Sequence, residues 1–202
     1  NHIQSFDISR LDLIIRWGGR RRLSGFLPVQ SIYADFYVLD EYWPDFNKNH
    51  ISEAFKWYKA AAEQGDADAQ NSLYNRYAKG EGVEQNSEEA MKWLHRSAEQ
   101  GYGLAYYNLG FEYSSGDLVR KDELEAIKWY KKAAKKDIKE AYYQLGFLYT
   151  YSDTIKDYQA ARECYELAGG SWNGEAQNEL GILHFNGFGT PKDDAKAFLY
   201  FQ

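Results

Sequence analysis

Apolar side chains fall four residues apart in four separate stretches of the chain. Ala105, Leu109 and Tyr113 form one such row, with Gly110 beside it. Ala69, Leu73 and Tyr77 precede it; Ala141, Leu145 and Tyr149, then Ala176, Leu180 and His184, follow it. Residues four apart on a helix drift by only about 40°, so each row predicts a buried stripe along one helix face. A second pattern alternates with the first. AFKWY at 54–58 returns as AMKWL, AIKWY, ARECY and AFLYF, beginning at Ala54, Ala90, Ala126, Ala161 and Ala197. The spacings between those starts are 36, 36, 35 and 36 residues. These segments are predicted second helices, with Trp93 and Trp129 buried between neighbouring units.

The connectors carry breakers and start signals. GEGVEQNSEEA at 80–90 supplies glycine for left-handed backbone, and Val83 returns to the core as Val119 and Ile155 do later. Ser87 with Glu89, and Asp122 with Glu125, predict caps and first-turn acids for the next helix. EQG at 63–65 and 99–101 predicts a glycine stop after each second helix. Paired helices at a fixed period mean that each unit buries its apolar face on its neighbours. The predicted fold is all-α, a right-handed solenoid of antiparallel helix pairs with a 36-residue repeat. Units are expected at 31–66 (a degenerate first repeat, with Ala34, Val38, Leu39 and Tyr42 in first-helix spacing), 67–102, 103–138, 139–173 and 174–202, the last incomplete. LYFQ at 199–202 fits the repeat register and equally coincides with the tail of ENLYFQ, an engineered protease site.

Residues 1–30 match none of these units and form an expected cap or extension. Within them LDLIIRWGGRRRLSGF reads as a hairpin or a short helix, and either would cover the exposed end of a solenoid. They hold five Arg against two acids, net +3, so the remainder of a chain of net charge −6 carries −9.

The pattern A-x3-LG-x2-Y-x2-G, then G-V, then A-x2-WY-x-KAAEQG, resembles the Sel-1-like repeat (SLR) family, a relative of tetratricopeptide repeats. The resemblance covers roughly residues 53–202. Departures stand at Tyr74 for the glycine, Cys164 for the tryptophan and His184 for the tyrosine, and SDTIKDY at 152–158 lacks both connector glycines. The resemblance implies a non-enzymatic adaptor that binds a protein or peptide. It also admits a bacterial immunity protein that neutralises a secreted toxic effector. A β-lactam-binding or hydrolysing role is disfavoured, because SLR proteins linked to it are cysteine-rich and this chain has one Cys.

Candidate chemistry is sparse. The lone cysteine excludes an internal disulfide framework and a thiolate zinc site, and fits a reducing, cytoplasmic setting. A chain that begins at Asn1 leaves a periplasmic or secreted setting open. No apolar run reaches the length of a membrane span, and the acidic balance argues against nucleic acid as partner. His2, His50, His95 and His184 are isolated, so neither a metal site nor a catalytic pair is expected, and no cofactor is implied. His184 reads as a packed aromatic substitute and Cys164 as an inert buried thiol.

Two surfaces remain as candidate contacts. Residues about 160° from the Ala-Leu-Tyr stripe would line a concave strip where first helices stack: Asn71, Asn75, Tyr107, Phe111, Tyr143, Phe147, Asn178 and Ile182. Their aromatic area with hydrogen-bonding tips suits a protein or peptide ligand, a basic one given the acidic balance. Arg16, Arg20, Arg21 and Arg22 form a basic patch that suits an acidic partner, a lipid headgroup or a nucleic-acid phosphate, or else serves as a solvated turn or in salt bridges to the acidic solenoid.

Overall fold

A computed structural model describes residues 48–168 and 174–202. The readings placed on residues 1–47, the cap, the basic patch and residues 31–47 of the degenerate first repeat, lie outside the described residues. Nine helices are described: α1 (Lys48–Glu63), α2 (Ala67–Lys79), α3 (Ser87–Glu99), α4 (Gly103–Ser115), α5 (Glu123–Ala134), α6 (Lys139–Tyr151), α7 (Tyr158–Leu167), α8 (Gly174–Asn186) and α9 (Asp194–Tyr200). No strand occurs among the described residues. The chain divides into two compact units between Tyr102 and Gly103. In unit 1, α1 packs on α2 and α2 on α3; in unit 2, α4 through α9 pack each on the next. Unit 2 thus holds three successive helix pairs, the all-α solenoid arrangement that the sequence predicts.

The predicted stripes are the core. Ala69, Leu73, Ala105, Leu109, Ala141, Leu145, Ala176 and Leu180 are all buried, as are Ala90, Ala126, Ala161 and Ala197 on the second helices. In unit 2 the large residue that fills each pair is not the predicted tryptophan. Trp93 is buried, but Trp129 is only half-buried, stacked on Tyr106 at 5.8 Å with the Lys132 ammonium 3.8 Å from its ring centroid. The residue after it, Tyr130, is completely buried, and so is its counterpart Tyr165. Each ring fills a place that glycine leaves open. A Cβ at position 110 would stand 2.5 Å from Tyr130 Cδ1, and one at position 146 would stand 2.6 Å from Tyr165 Cε1. A Cβ at 181 would collide in the same way with the Phe201 ring.

The partners change together. Tyr130 Oη lies 3.2 Å from Ser114 Oγ, and Tyr165 Oη lies 3.2 Å from Thr150 Oγ1. Phe201 has no hydroxyl, and the position matching Ser114 and Thr150 is Phe185. In unit 1 the glycine position holds Tyr74, the ring position Leu94 and the hydroxyl position Ala78, with Tyr74 and Leu94 buried. Where the first helix gains a ring, the second helix loses one.

Each connector in these pairs closes with one repeated pair of hydrogen bonds. Asn86, Asp122, Asp157 and Asp193 cap the following helix, accepting from Glu89 N, Glu125 N, Ala160 N and Lys196 N at 2.9–3.0 Å. The same four residues donate their own N–H to the carbonyls of Tyr77, Tyr113, Tyr149 and His184 at 2.8–2.9 Å. The first of these caps is Asn86, not Ser87, which is the first residue of α3. The connector without glycine is one residue shorter. Its Ser152 is extended (φ −70°), where Gly80, Gly116 and Gly187 are left-handed, and the Ser152 hydroxyl donates to Glu123 Oε2 at 2.6 Å while accepting from Thr154 N and Ile155 N.

His184 is a packed aromatic, as predicted: it is buried and stacked on Tyr200 with ring centroids 5.6 Å apart. Burial holds its imidazole below the ordinary value; Lys196 and Arg162 add to that, while Asp193 and Glu166 pull the other way. Burial likewise depresses His95, against Glu99.

Two outcomes follow from this packing. Gly110→Ala should lose about 1–3 kcal/mol in urea unfolding, although alanine is the better helix former by about 1 kcal/mol. Combining it with Tyr130→Leu, which copies the Tyr74–Leu94 pairing, should restore part of that loss, giving a coupling of at least about 0.5 kcal/mol in the double-mutant cycle. Additive losses would mean that the two positions are not matched. The second outcome concerns pH. With a folded pKa below the unfolded one, His184 contributes its full stability above about pH 6.5, and that contribution is lost as pH falls through the lowered value. Melting temperature should therefore fall as pH drops below neutrality, before carboxylates titrate. His184→Tyr, the residue of the other copies, should flatten that slope.

Candidate functional site

The outward face of the first helices separates by residue. In unit 1, Asn71 is buried and Asn75 is half-buried, its side-chain amide donating to the Asn71 carbonyl at 3.2 Å. This part offers less side-chain surface than the sequence predicts. In unit 2, Phe111 and Phe147 are each 42% exposed, Asn178 is exposed and Ile182 is half-buried. Tyr107 and Tyr143 are half-buried for a reason invisible in the spacing. Their rings lean on the buried rings behind them, Tyr107 on Tyr130 at 5.7 Å and Tyr143 on Tyr165 at 5.8 Å. They therefore back the strip as well as face it.

Sequence reasoning missed two members of this surface. Tyr151, at the end of α6, is 49% exposed and sits 4.8 Å from Phe147 between ring centroids. Its hydroxyl donates to Glu179 Oε2 on α8 at 2.8 Å, which sets α6 and α8 side by side. Burial, the Glu179 hydrogen bond and the Glu179 charge push its phenol up to about 12. Burial first, then the charges of Glu175 and Glu179, push the Tyr143 phenol up as well. The available signal was the step of four from Phe147 to Tyr151, one helical turn.

Nothing in this surface resembles a reaction centre. Tyr phenols held above their ordinary value are poor bases near neutral pH. Burial pushes the Cys164 thiol up to about 11, so little of it is thiolate, although Cys164 is half-buried where the sequence predicts a buried thiol. Among the described residues, no group of three or more His, Cys, Asp or Glu is placed to hold a metal ion. No helix among them is long and apolar enough to cross a membrane.

Comparison with known proteins divides the chain at one helix. Residues 1–65 match the model of the family described as putative undecaprenyl diphosphate synthase. Two curated relatives illustrate the match. The (2E,6E)-farnesyl-diphosphate-specific ditrans,polycis-undecaprenyl-diphosphate synthase of Aliivibrio fischeri is 44% identical over 52 residues, 26% of this chain and 20% of that protein. An isoprenyl transferase of Leptospira interrogans is 49% identical over 49 residues, 24% of this chain and 20% of that protein. The chain thus spans about a fifth of the length of these relatives. Residues 1–30, which match no repeat unit, have their counterparts here, and Arg16, Arg20, Arg21 and Arg22 lie inside the match. So does α1, although its AFKWY segment keeps the repeat spacing and its Ala62 joins the core of α2 and α3 with Ala69, Leu73 and Trp93.

The rest of the chain has different relatives. A solved Sel1 repeat protein from Oxalobacter formigenes shares 36% identity at a TM-score of 0.67, covering 74% of this chain and 61% of that one. A protective antigen of uropathogenic Escherichia coli with an SLR fold shares 35% identity at a TM-score of 0.69, covering 72% of this chain and 32% of that one. The Sel1 repeat model itself matches residues 67–102, 103–138, 139–169 and 174–202, well over half of the sequence, and the chain belongs to the Sel1 repeat family.

Proposed function

We propose that this chain is a non-enzymatic interaction module that holds a partner protein or peptide against the exposed first-helix surface of unit 2. One observation carries the reading. Phe111 and Phe147 stand 42% exposed at register positions where the other copies hold Asn75 and Ile182, so the helix pair does not need a phenylalanine there. Large exposed aromatics with hydrogen-bonding neighbours are the common anchors of protein interfaces. The supporting family resemblance is that of a scaffold, with a protein or peptide as ligand and no cofactor.

A second reading rests on residues 1–65. Their 44–49% identity to isoprenyl transferases over about 50 residues supports a link between the repeats and isoprenoid transfer, in which the repeats bring a partner to that chemistry. Formation of a polyprenyl diphosphate from farnesyl diphosphate and isopentenyl diphosphate, with release of diphosphate at each addition, by the full protein would support it. Absence of turnover from protein that still binds its partner would remove it.

The interface reading has a direct test. Phe111→Ala and Phe147→Ala should each weaken a captured partner by about 2 kcal/mol, roughly thirtyfold, with little change in melting temperature. Tyr107→Ala should lower melting temperature as well, because its ring packs on Tyr130. Titration calorimetry beside thermal unfolding separates the two effects. Unchanged affinity in both phenylalanine variants would move the interface elsewhere.

A further inference from the structure

We infer that the notch formed by Phe147, Tyr151 and Glu179 takes a lysine or arginine side chain of a basic peptide; this rests on the interaction reading above and narrows it. The chain supplies its own control. Tyr151 corresponds in register to Lys79, Ser115 and Asn186, and Glu179 to Ser72, Asn108 and Gln144. Three other first helices lack each residue, so the repeat fold does not require an aromatic and a carboxylate at these positions. Here they occur together, on adjacent first helices, and join through the 2.8 Å hydrogen bond.

That bond fixes the notch. Tyr151 donates to one carboxylate oxygen, which orients both groups, while the Tyr151 ring and the neighbouring Phe147 ring stay 49% and 42% exposed. Ring faces and a carboxylate in one place complement a cation on an aliphatic stem: the stem covers the rings, and the charge meets both the ring quadrupole and the carboxylate. Glu175, one turn before Glu179 on α8, adds a second negative charge that reaches Tyr143.

Among the described residues the cation is not supplied from within. Exposed acids on the second helices have partners: Lys128 meets Glu125 at 2.6 Å, and Arg162 meets Glu166 at 2.8 Å. Among the described residues, no lysine or arginine forms an ion pair with Glu175 or Glu179. Charge is segregated along the same line. The first helices of unit 2 (α4, α6, α8) carry Glu112, Glu140, Glu175 and Glu179 against Lys139 alone; with Glu112 buried, three acids stand against one base at the surface, net −2. The second helices (α5, α7, α9) carry Glu123, Glu125, Glu163, Glu166 and Asp194 against Lys128, Lys131, Lys132, Arg162 and Lys196, five to five. The first-helix surface that carries Phe147 and Tyr151 is left negative, and a basic segment complements it.

Phage-displayed random linear peptides, panned against the full chain, supply the probe. The enriched peptides should contain Lys or Arg, and their synthetic forms should bind less tightly as salt rises. Glu179→Gln and Tyr151→Ala should each weaken them about tenfold, from loss of the charge and of the ring face. Glu166→Gln, on a second helix, should leave affinity unchanged. Glu179→Gln is nearly isosteric, and circular dichroism with thermal unfolding checks that each variant is folded. Enriched peptides without basic residues that still need Phe147 would overturn this inference and leave the interaction reading standing. Basic peptides indifferent to Glu179 and Tyr151 would overturn it likewise. Peptides indifferent to Phe111 and Phe147 as well would remove both.

Discussion

The helix pairs of unit 2 depend on a ring entering a gap. Gly110 and Gly146 bring the backbone of a first helix against the face of Tyr130 or Tyr165, closer than any side chain would allow. This contact sets how near the two helices lie, and with that distance the Ala and Leu stripes meet in a dry core. Interiors packed to crystal-like density tolerate neither the clash of an added methyl nor the void of a removed ring. The unit 1 pair keeps the rule by exchanging the roles, Tyr74 on the first helix and Leu94 on the second. The hydroxyl of each tyrosine then decides its neighbour, Ser114 or Thr150, while Phe201 meets no such group.

The repeat was legible because it is written in the chain several times over. A stripe of Ala, Leu and Tyr four apart, repeated at a fixed interval, leaves little choice of fold, and helix ends came with it. The errors were of a particular kind. Tryptophan is the larger side chain and was given the core, but Trp129 lies half outside and the adjacent Tyr130 lies within, a shift of one residue or about 100° around the helix. The cap expected at Ser87 is held one residue earlier, by Asn86. Periodicity fixes a face to within about a residue and does not say which of two adjacent aromatics points inward. Tyr107 and Tyr143 had the angle of surface residues, and only the ring behind each makes them part of the packing. Tyr151 and Glu179 break the repeat, and self-similarity carries no signal for a residue that occurs once. Residues 1–30 stayed unplaced for the same reason: their likeness is to other proteins.

Charge adds a second order to the same helices. Lysines on α5 are exposed beside aromatic rings, with Lys132 over Trp129 and Lys131 5.9 Å from the Tyr149 centroid. Second-helix acids Glu125 and Glu166 each have a cation alongside. The first helices do not repeat that arrangement. One amphipathic pattern builds both kinds of helix, and the residues left over after packing are free to differ in charge, which is where a repeat fold acquires a specific surface.

The helix at the boundary has a mechanical meaning. α1 ends at Glu63 and α2 begins at Ala67, and the bend between them is closed by hydrogen bonds from Gly65 N to the Ala62 carbonyl and from Asp66 N to the Ala61 carbonyl. Behind the bend, Gln70 holds the Ala62 carbonyl at 3.0 Å, Phe55 meets Tyr77 edge-on at 5.5 Å, and Arg76 covers the Tyr58 ring. Flexible tethers work through slack, letting attached bodies search a volume that grows with their length. This bend has none. α1 lies within the transferase-like match and is clamped to the first Sel1 repeat, so a rotation of α1 reaches α2 as torque, as at a welded joint.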